Sequence, residues 1–179
     1  MAFFENLFVR QMKRTDDADA APHVMPNIEI GSVAYGSLGT SAVHVAGSLY
    51  VSELNVPYTK RVTGIGVLNG AIVGTDNLIA ALYNAKGVRL AHSALAGALS
   101  AGANAFQQIP FVRPYELDSD GKYHIVVQAS GVTATTRRIA ANTFLNRASV
   151  IAGAFGTIPG AIAVPTGITA DAGPIGYLY

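Results

Sequence analysis

Between residues 43 and 147 the apolar positions come in short runs, cut by glycine, proline, asparagine and aspartate. The clearest run is 123–129, where Tyr123, Ile125, Val127 and Ala129 share one face of a strand and His124, Val126 and Gln128 the other. Runs at 49–54 and 61–68 read as two more strands, and Gly64 and Gly66 within the second imply a bulge or a close backbone approach. Residues 78–83 are apolar at every position, the pattern of a strand covered on both faces. Asn84-Ala85-Lys86-Gly87 then forms a hairpin turn into a strand at 88–92, with Gly87 suited to a positive φ. Another short strand covers 106–111, where Pro110 requires an edge or an end. Gly97, Ser100 and Gly102 make 91–105 a loop rather than a helix. Asp118-Ser119-Asp120-Gly121 is the turn that leads into 123–129. Strands at this spacing, with no helical periodicity between them, predict an all-β protein, a jelly-roll-like antiparallel β-sandwich.

The flanks differ from this centre, which divides the chain into an N-terminal arm and extended linker (1–42), a sandwich domain (43–147) and an apolar C-terminal extension (148–179). Within the first unit, residues 1–22, Phe3 with Leu7 and Phe4 with Phe8 have i,i+4 spacing, which allows a short amphipathic helix, too short to be stable alone, that docks on a partner; a disordered tail with a few hydrophobes is the alternative. Phe3, Phe4, Leu7 and Phe8 are therefore candidate contacts to another chain. Residues 23–42 carry one charged side chain, Glu29, and read as extended or looped. In the extension, Asp171 is the only Asp, Glu, Lys or Arg. Pro159, Pro165, Pro174 and repeated glycines exclude a membrane helix. Part of the extension is expected to supply the last strands. The rest is expected at a subunit interface, with Ile162 and Ile168 as candidate contacts, in a homo-oligomer.

Composition narrows the class further. Half the residues are apolar and 13% are charged, with a net charge of +1, so no field draws the chain to nucleic acid or to an anionic membrane. There is no cysteine, which removes disulfides, thiolate metal sites and cysteine nucleophiles. The N-terminus places Glu5 inside its apolar part and its basic residues after it. That is the reverse of a secretory signal, so synthesis and retention in a cytoplasm, or in a particle built there, are expected.

Little chemistry is visible. His23, His44, His92 and His124 have no metal-ligand spacing. Asp118-Ser119-Asp120-Gly121 opens like a calcium loop but has no Glu at the twelfth position, and a hairpin turn explains it without metal. Gly64-Ile65-Gly66 lacks the dinucleotide spacing. Arg137-Arg138 and Lys60-Arg61 read as solvated strand edges, with a salt bridge to a partner subunit as the alternative. These patterns predict no catalytic residue, no cofactor and no metal: a structural protein rather than an enzyme.

The run 62–70, then Val73-Gly74-Thr75-Asp76, 80–87, 102–107 and the ending 173–179 together resemble small β-sandwich proteins among the structural proteins of tailed bacteriophages. The resemblance covers about residues 60–179 and rests on turn and core patterns. It implies a virion surface component: a capsid decoration or cement protein that binds the major capsid protein lattice and stabilises the head, made in the host cytoplasm. The alternative it leaves is a receptor- or carbohydrate-binding module of a tail or head fibre. Tyr35, Tyr50, Tyr58, Tyr83, Tyr115 and Tyr123 would then serve as stacking faces, although core burial explains them as well.

Overall fold

The computed structural model describes residues 25–26, 34–57, 59–140 and 147–179. The arm contacts Phe3, Phe4, Leu7 and Phe8 lie outside the described residues. The strands are β1 (Met25–Pro26), β2 (Thr40–Val43), β3 (Ser48–Val56), β4 (Lys60–Leu68), β5 (Asn77–Asn84), β6 (Arg89–His92) and β7 (Ala98–Leu99). They continue with β8 (Phe106–Leu117), β9 (Gly121–Ala129), β10 (Thr135–Ile139), β11 (Ala148–Ala152), β12 (Gly173–Pro174) and β13 (Gly176–Leu178). No α-helix occurs among the described residues, and one 3-10 turn spans Tyr35–Ser37.

The fold is an all-β antiparallel sandwich. One layer is the sheet β11-β3-β9-β5-β6, with β7 also on β5. The other is β1-β13-β4-β8, and a third small sheet, β12-β10-β2, continues beside it. The junction is sealed by an Asn69–Thr136 bridge and by Ile175, whose N–H donates to Arg137 O and whose carbonyl accepts from Leu68 N–H. Between β3 and β9 the chain crosses between these two layers from β3 to β4, from β4 to β5, from β7 to β8 and from β8 to β9. Between the layers lie Leu54, Val62, Ile65, Val67, Leu82, Ile109, Ile125, Val127 and Leu178. Each such side chain contributes about 1.5–3 kcal/mol by leaving water.

The period-2 reading of β9 holds: Ile125 and Val127 enter this core, and Val126 faces outward. The outward face is buried too. Leu49, Val51, Ile79, Ala81, Tyr83 and Val126 form a second cluster, covered by Ile158 with Phe155 and Ile162. Residues 153–164 are thus a strap across the outer face of the larger sheet. Tyr83 Oη donates to Pro159 O at 2.8 Å, the Arg89 guanidinium donates to Ile158 O, and Ile162 N donates to Gly87 O at 2.8 Å. This explains why residues 78–83 of β5 are apolar at every position. It also gives much of the charge-poor extension an intramolecular use. Phe155, Ile158, Ile162, Ile175 and Leu178 pack on their own chain, while Val150 and Ile168 stay exposed.

Two sequence readings need correction. The strand expected at 106–111 runs on to Leu117. It is an edge strand, and the β4–β8 register slips from Val62–Tyr115 to Gly64–Pro110, so a bulge absorbs 111–114, including Pro114. Arg138, read as part of a solvated edge, is buried in β10. Strands β2, β10, β11, β12 and β13 had no clear pattern of their own, because each pairs over only a few residues.

Candidate functional site, an uncharged pole

The larger sheet has two ends of opposite character. At one end β3 and β5 begin and β9 stops. Residues 44–47, 69–76, 93–105, 130–134 and 153–157 gather there. Hydrogen bonds tie these loops to one another. The Asp76 carboxylate accepts from Thr133 N at 2.8 Å and Ala134 N at 2.6 Å. Ser130 Oγ accepts from Asn77 N at 2.9 Å, and Asn77 Nδ2 donates to Ala96 O at 3.0 Å. Ser100 Oγ accepts from Gly74 N at 3.0 Å, Thr135 Oγ1 from Ile72 N at 3.0 Å, and Gly47 O from Gly153 N at 2.8 Å. Gly131 packs so closely on Asp76 that a Cβ there would lie 2.3 Å from its Oδ1.

These loops hold two ionisable side chains, His44 and Asp76, and both are buried. What they present to solvent is uncharged: Val45, Ile72, Leu95, Leu99 and Val132 are each 44–59% exposed, beside the exposed hydroxyls of Thr75, Ser130, Thr133 and Thr157. The opposite end carries the charge. There Arg61, Lys86, Glu116, Asp118, Asp120 and Lys122 flank the ends of β4, β5, β8 and β9. Arg61 pairs with Glu116 at 3.6 Å across the β4–β8 edge, both largely exposed, as the reading of Lys60-Arg61 as a solvated edge expects.

A buried polar cluster anchors the uncharged pole. The Arg138 guanidinium lies 3.7 Å from the Tyr50 ring centroid and donates to Val43 O at 2.7 Å and Asp171 O at 3.2 Å. Tyr50 Oη accepts from Val45 N at 2.9 Å. His44 Nε2 is 3.1 Å from Thr136 Oγ1, and its ring meets Tyr50 edge-on. Burial, reinforced by the Arg138 cation, pushes the His44 pKa down to about 3, so the imidazole is neutral at physiological pH. It is 1% exposed, which puts it out of a substrate's reach. Its chemistry is that of a fastener between β2, β3 and β10.

Other sequence candidates do not converge. The two carboxylates buried among the described residues, Glu53 and Asp76, sit toward opposite ends of the larger sheet. Glu53 pairs with Lys122 Nζ at 3.2 Å and faces His124 across β3–β9. His124 is buried on the outer face, its Nδ1 is 3.2 Å from Asn84 O, and burial lowers its pKa. Asp118 and Asp120 are exposed in the β8–β9 turn. Among the described residues no three His, Asp or Glu side chains come together as a metal site. Tyr50, Tyr83 and Tyr123, offered as stacking faces, are buried in the protein and serve its core. Tyr115 is half-buried, Tyr35 is exposed, and Tyr58 lies outside the described residues. Ile162 and Ile168 do not join the pole: Ile162 belongs to the strap and packs on the outer face of the larger sheet, and Ile168 lies beside Ala148 of β11.

Val45, Ile72, Leu95, Leu99 and Val132 were missed by sequence reasoning. The available signal was a lack of charge: no Asp, Glu, Lys or Arg occurs between Arg89 and Arg113. Comparison with known protein families, curated proteins and solved structures gave no match to this chain.

Proposed function

We propose that this protein is a non-enzymatic structural subunit of a virus particle, a decoration or cement protein that stiffens the head of a tailed bacteriophage. Its partners in this reading are the major capsid protein and copies of itself. The observation that carries the proposal is the polarity of the sandwich. A pole with no exposed charge and five exposed aliphatic side chains opposes a pole of mixed charge. A subunit that seats one end in an assembly and leaves the other in water has this partition. A protein that binds only the assembled lattice stabilises it by mass action. The resemblance of residues 60–179 to virion β-sandwich proteins supplies the kind of assembly.

Purified particles from cells expressing the protein test the proposal. Quantitative mass spectrometry should find it at a copy number comparable to the major capsid protein, and electron cryo-microscopy should place it over the head. A few copies confined to the tail would instead favour the receptor- or carbohydrate-binding alternative, for which exposed Tyr35 and half-buried Tyr115 are the described stacking candidates that the core does not bury. Complete absence from particles would end both readings.

A further inference from the structure

Strand β11 is an open edge of the larger sheet, where it ends the order β11-β3-β9-β5-β6. Its backbone groups alternate in direction. Arg147 O accepts from Glu53 N, and Gly153 N donates to Gly47 O, so the odd-numbered positions from 147 to 153 bond toward β3. The even-numbered positions face away from it. Ala148 uses its outward groups within the molecule: its N–H donates to Gly167 O and its carbonyl accepts from Thr169 N. The segment that makes these bonds then turns off, and Asp171 N donates to Ile139 O. Val150 and Ala152 are left with outward N–H and C=O groups that have no partner among the described residues, and both residues are exposed. Such an edge is a template for another strand. Apolar surface adjoins it. Val150 lies opposite Tyr50, Val45 N donates to Tyr50 Oη, and Val43 O shares the Arg138 guanidinium with the Tyr50 ring. These three valines are 41–59% exposed.

We infer that β11 pairs antiparallel with β11 of a second copy, about a two-fold axis at Ile151, so that the larger sheets of the two copies run on as one. Two features select a second copy as the occupant. The register is self-complementary. With Ile151 opposite its own counterpart, Val150 of each copy faces Ala152 of the other, and every free donor and acceptor of both residues is used. An axis at Val150 or Ala152 leaves groups unpaired, because Ala148 is already occupied and Ala154 O accepts from Thr157 N. A two-fold axis also brings side chains close to their own counterparts, where a charge would repel itself. No Asp, Glu, Lys or Arg occurs from Ala148 to Ala170. The other described edges do not offer this. Strand β8 carries Pro110, Arg113 and Pro114. Strand β6 is covered, since Arg89 N donates to Gly160 O of the strap and the adjoining Ser93 bridges to Phe111. Strands β1, β2, β7 and β12 span two to four residues each. A strand-to-strand contact between copies is therefore β11 with β11, and it closes as a dimer. This contact does not depend on the uncharged pole; it gives the self-association in the proposed function a place on the molecule.

The test uses the full-length protein in isolation, by analytical ultracentrifugation. Wild type should form a dimer that grows no further with concentration. Val150→Pro removes an outward N–H that β3 does not use, so the sandwich tolerates it, while the dimer should weaken about 30-fold or more. Val150→Lys keeps the backbone donor and sets like charges beside the axis, and should weaken the dimer as well. Unchanged thermal unfolding of either variant confirms that folding is intact. Ile151→Cys reads the register. Facing residues of a non-hydrogen-bonded antiparallel pair have Cα atoms about 4.5 Å apart, within disulfide reach, and the chain has no other cysteine. This variant should oxidise to a covalent dimer far faster than Asp120→Cys, a control in the exposed β8–β9 turn. A monomeric wild type, a dimer that neither Val150 variant weakens, or Ile151→Cys that cross-links no faster than the control would each overturn the inference. A monomer found abundantly on particle heads would overturn it while leaving the proposed function standing, and a β11 dimer that no particle carries would do the reverse.

Discussion

At the scale of single residues, the most consequential side chains are two that look ordinary in the sequence. His44 and Arg138 give no periodic signal, yet both are almost fully buried and fix the loop that opens the uncharged pole. The His44 pKa is depressed from 6.5 to about 3. The unfolded chain thus binds a proton that the folded chain refuses as pH falls below about 6.5. Stability is full above that value, declines between 6.5 and 3, and levels off once the folded imidazole is itself protonated. The loss at pH 4 should be about 3 kcal/mol, with His124, also depressed by burial, adding in the same direction. Urea midpoints measured from pH 7.5 to 4 should fall steadily in wild type and less steeply in His44→Gln. Equal slopes would show that His44 does not titrate as described. Arg138→Ala should cost about 3 kcal/mol, since the carbonyls of Val43 and Asp171 lose a charged donor in a buried site. Chemical denaturation would measure it, and an effect below 1 kcal/mol would mean the arginine is replaceable by water.

At the scale of elements, the strands that were legible are those whose own residues carry a period or a turn. Residues 123–129 alternate cleanly, and Gly87 takes the positive φ its turn requires. Gly66 also behaves as the sequence implied, because the Tyr177 ring packs where a Cβ would sit, 2.2 Å away. The unread elements owe their structure to partners far along the chain. Strand β10 is Thr-Thr-Arg-Arg-Ile and becomes buried only because β2, β12 and the Tyr50 ring close around it. The strap contains no strand, only an isolated bridge from Ala161 to Val88, to betray it. Its apolar residues suggested a subunit interface, and they proved to match the outer face of β5, which had itself read as doubly covered. The pole was illegible because its five loops are far apart in sequence and are united only by the fold. Strap docking makes a direct prediction. Ile158→Ala should destabilise by about 2–4 kcal/mol through lost burial and a cavity. Tyr83→Phe should cost about 1 kcal/mol through loss of the bond to Pro159 O. Hydrogen exchange in Tyr83→Phe should quicken at Arg89 and Ile162, whose amides bond the Gly160 and Gly87 carbonyls. Exchange unaltered there would show that the tyrosine does not secure the strap.

At the scale of the whole molecule, the two ends of the described chain are not equivalent in what they hold together. Residues 173–178 form the seam of the fold. Pro174 pairs with Arg138, Ile175 joins β4 to β10, Leu178 enters the core, and β13 separates β1 from β4. The last residue still contributes: Tyr179 O accepts from Thr63 N at 2.6 Å, and its ring lies against Gly64. Removing 173–179 would uncover Ile65, Ile125 and Ile139 and leave the edges of β4 and β10 without hydrogen-bond partners. Buried apolar area and buried backbone groups would be exposed together, a loss comparable to the roughly 5–15 kcal/mol that holds a domain of this size. By contrast, residues 1–14 precede every described strand, and the core of the described residues is assembled from Leu38 onward. Deletion of 1–14 should therefore preserve a cooperative thermal transition and the strand-rich circular dichroism of wild type, while deletion of 173–179 should abolish both. In the functional reading proposed above, the first truncation should also lose its place on the particle. The experiment separates the two ends cleanly: a folded protein without its last seven residues would refute the seam, and normal decoration without the first fourteen would refute the arm.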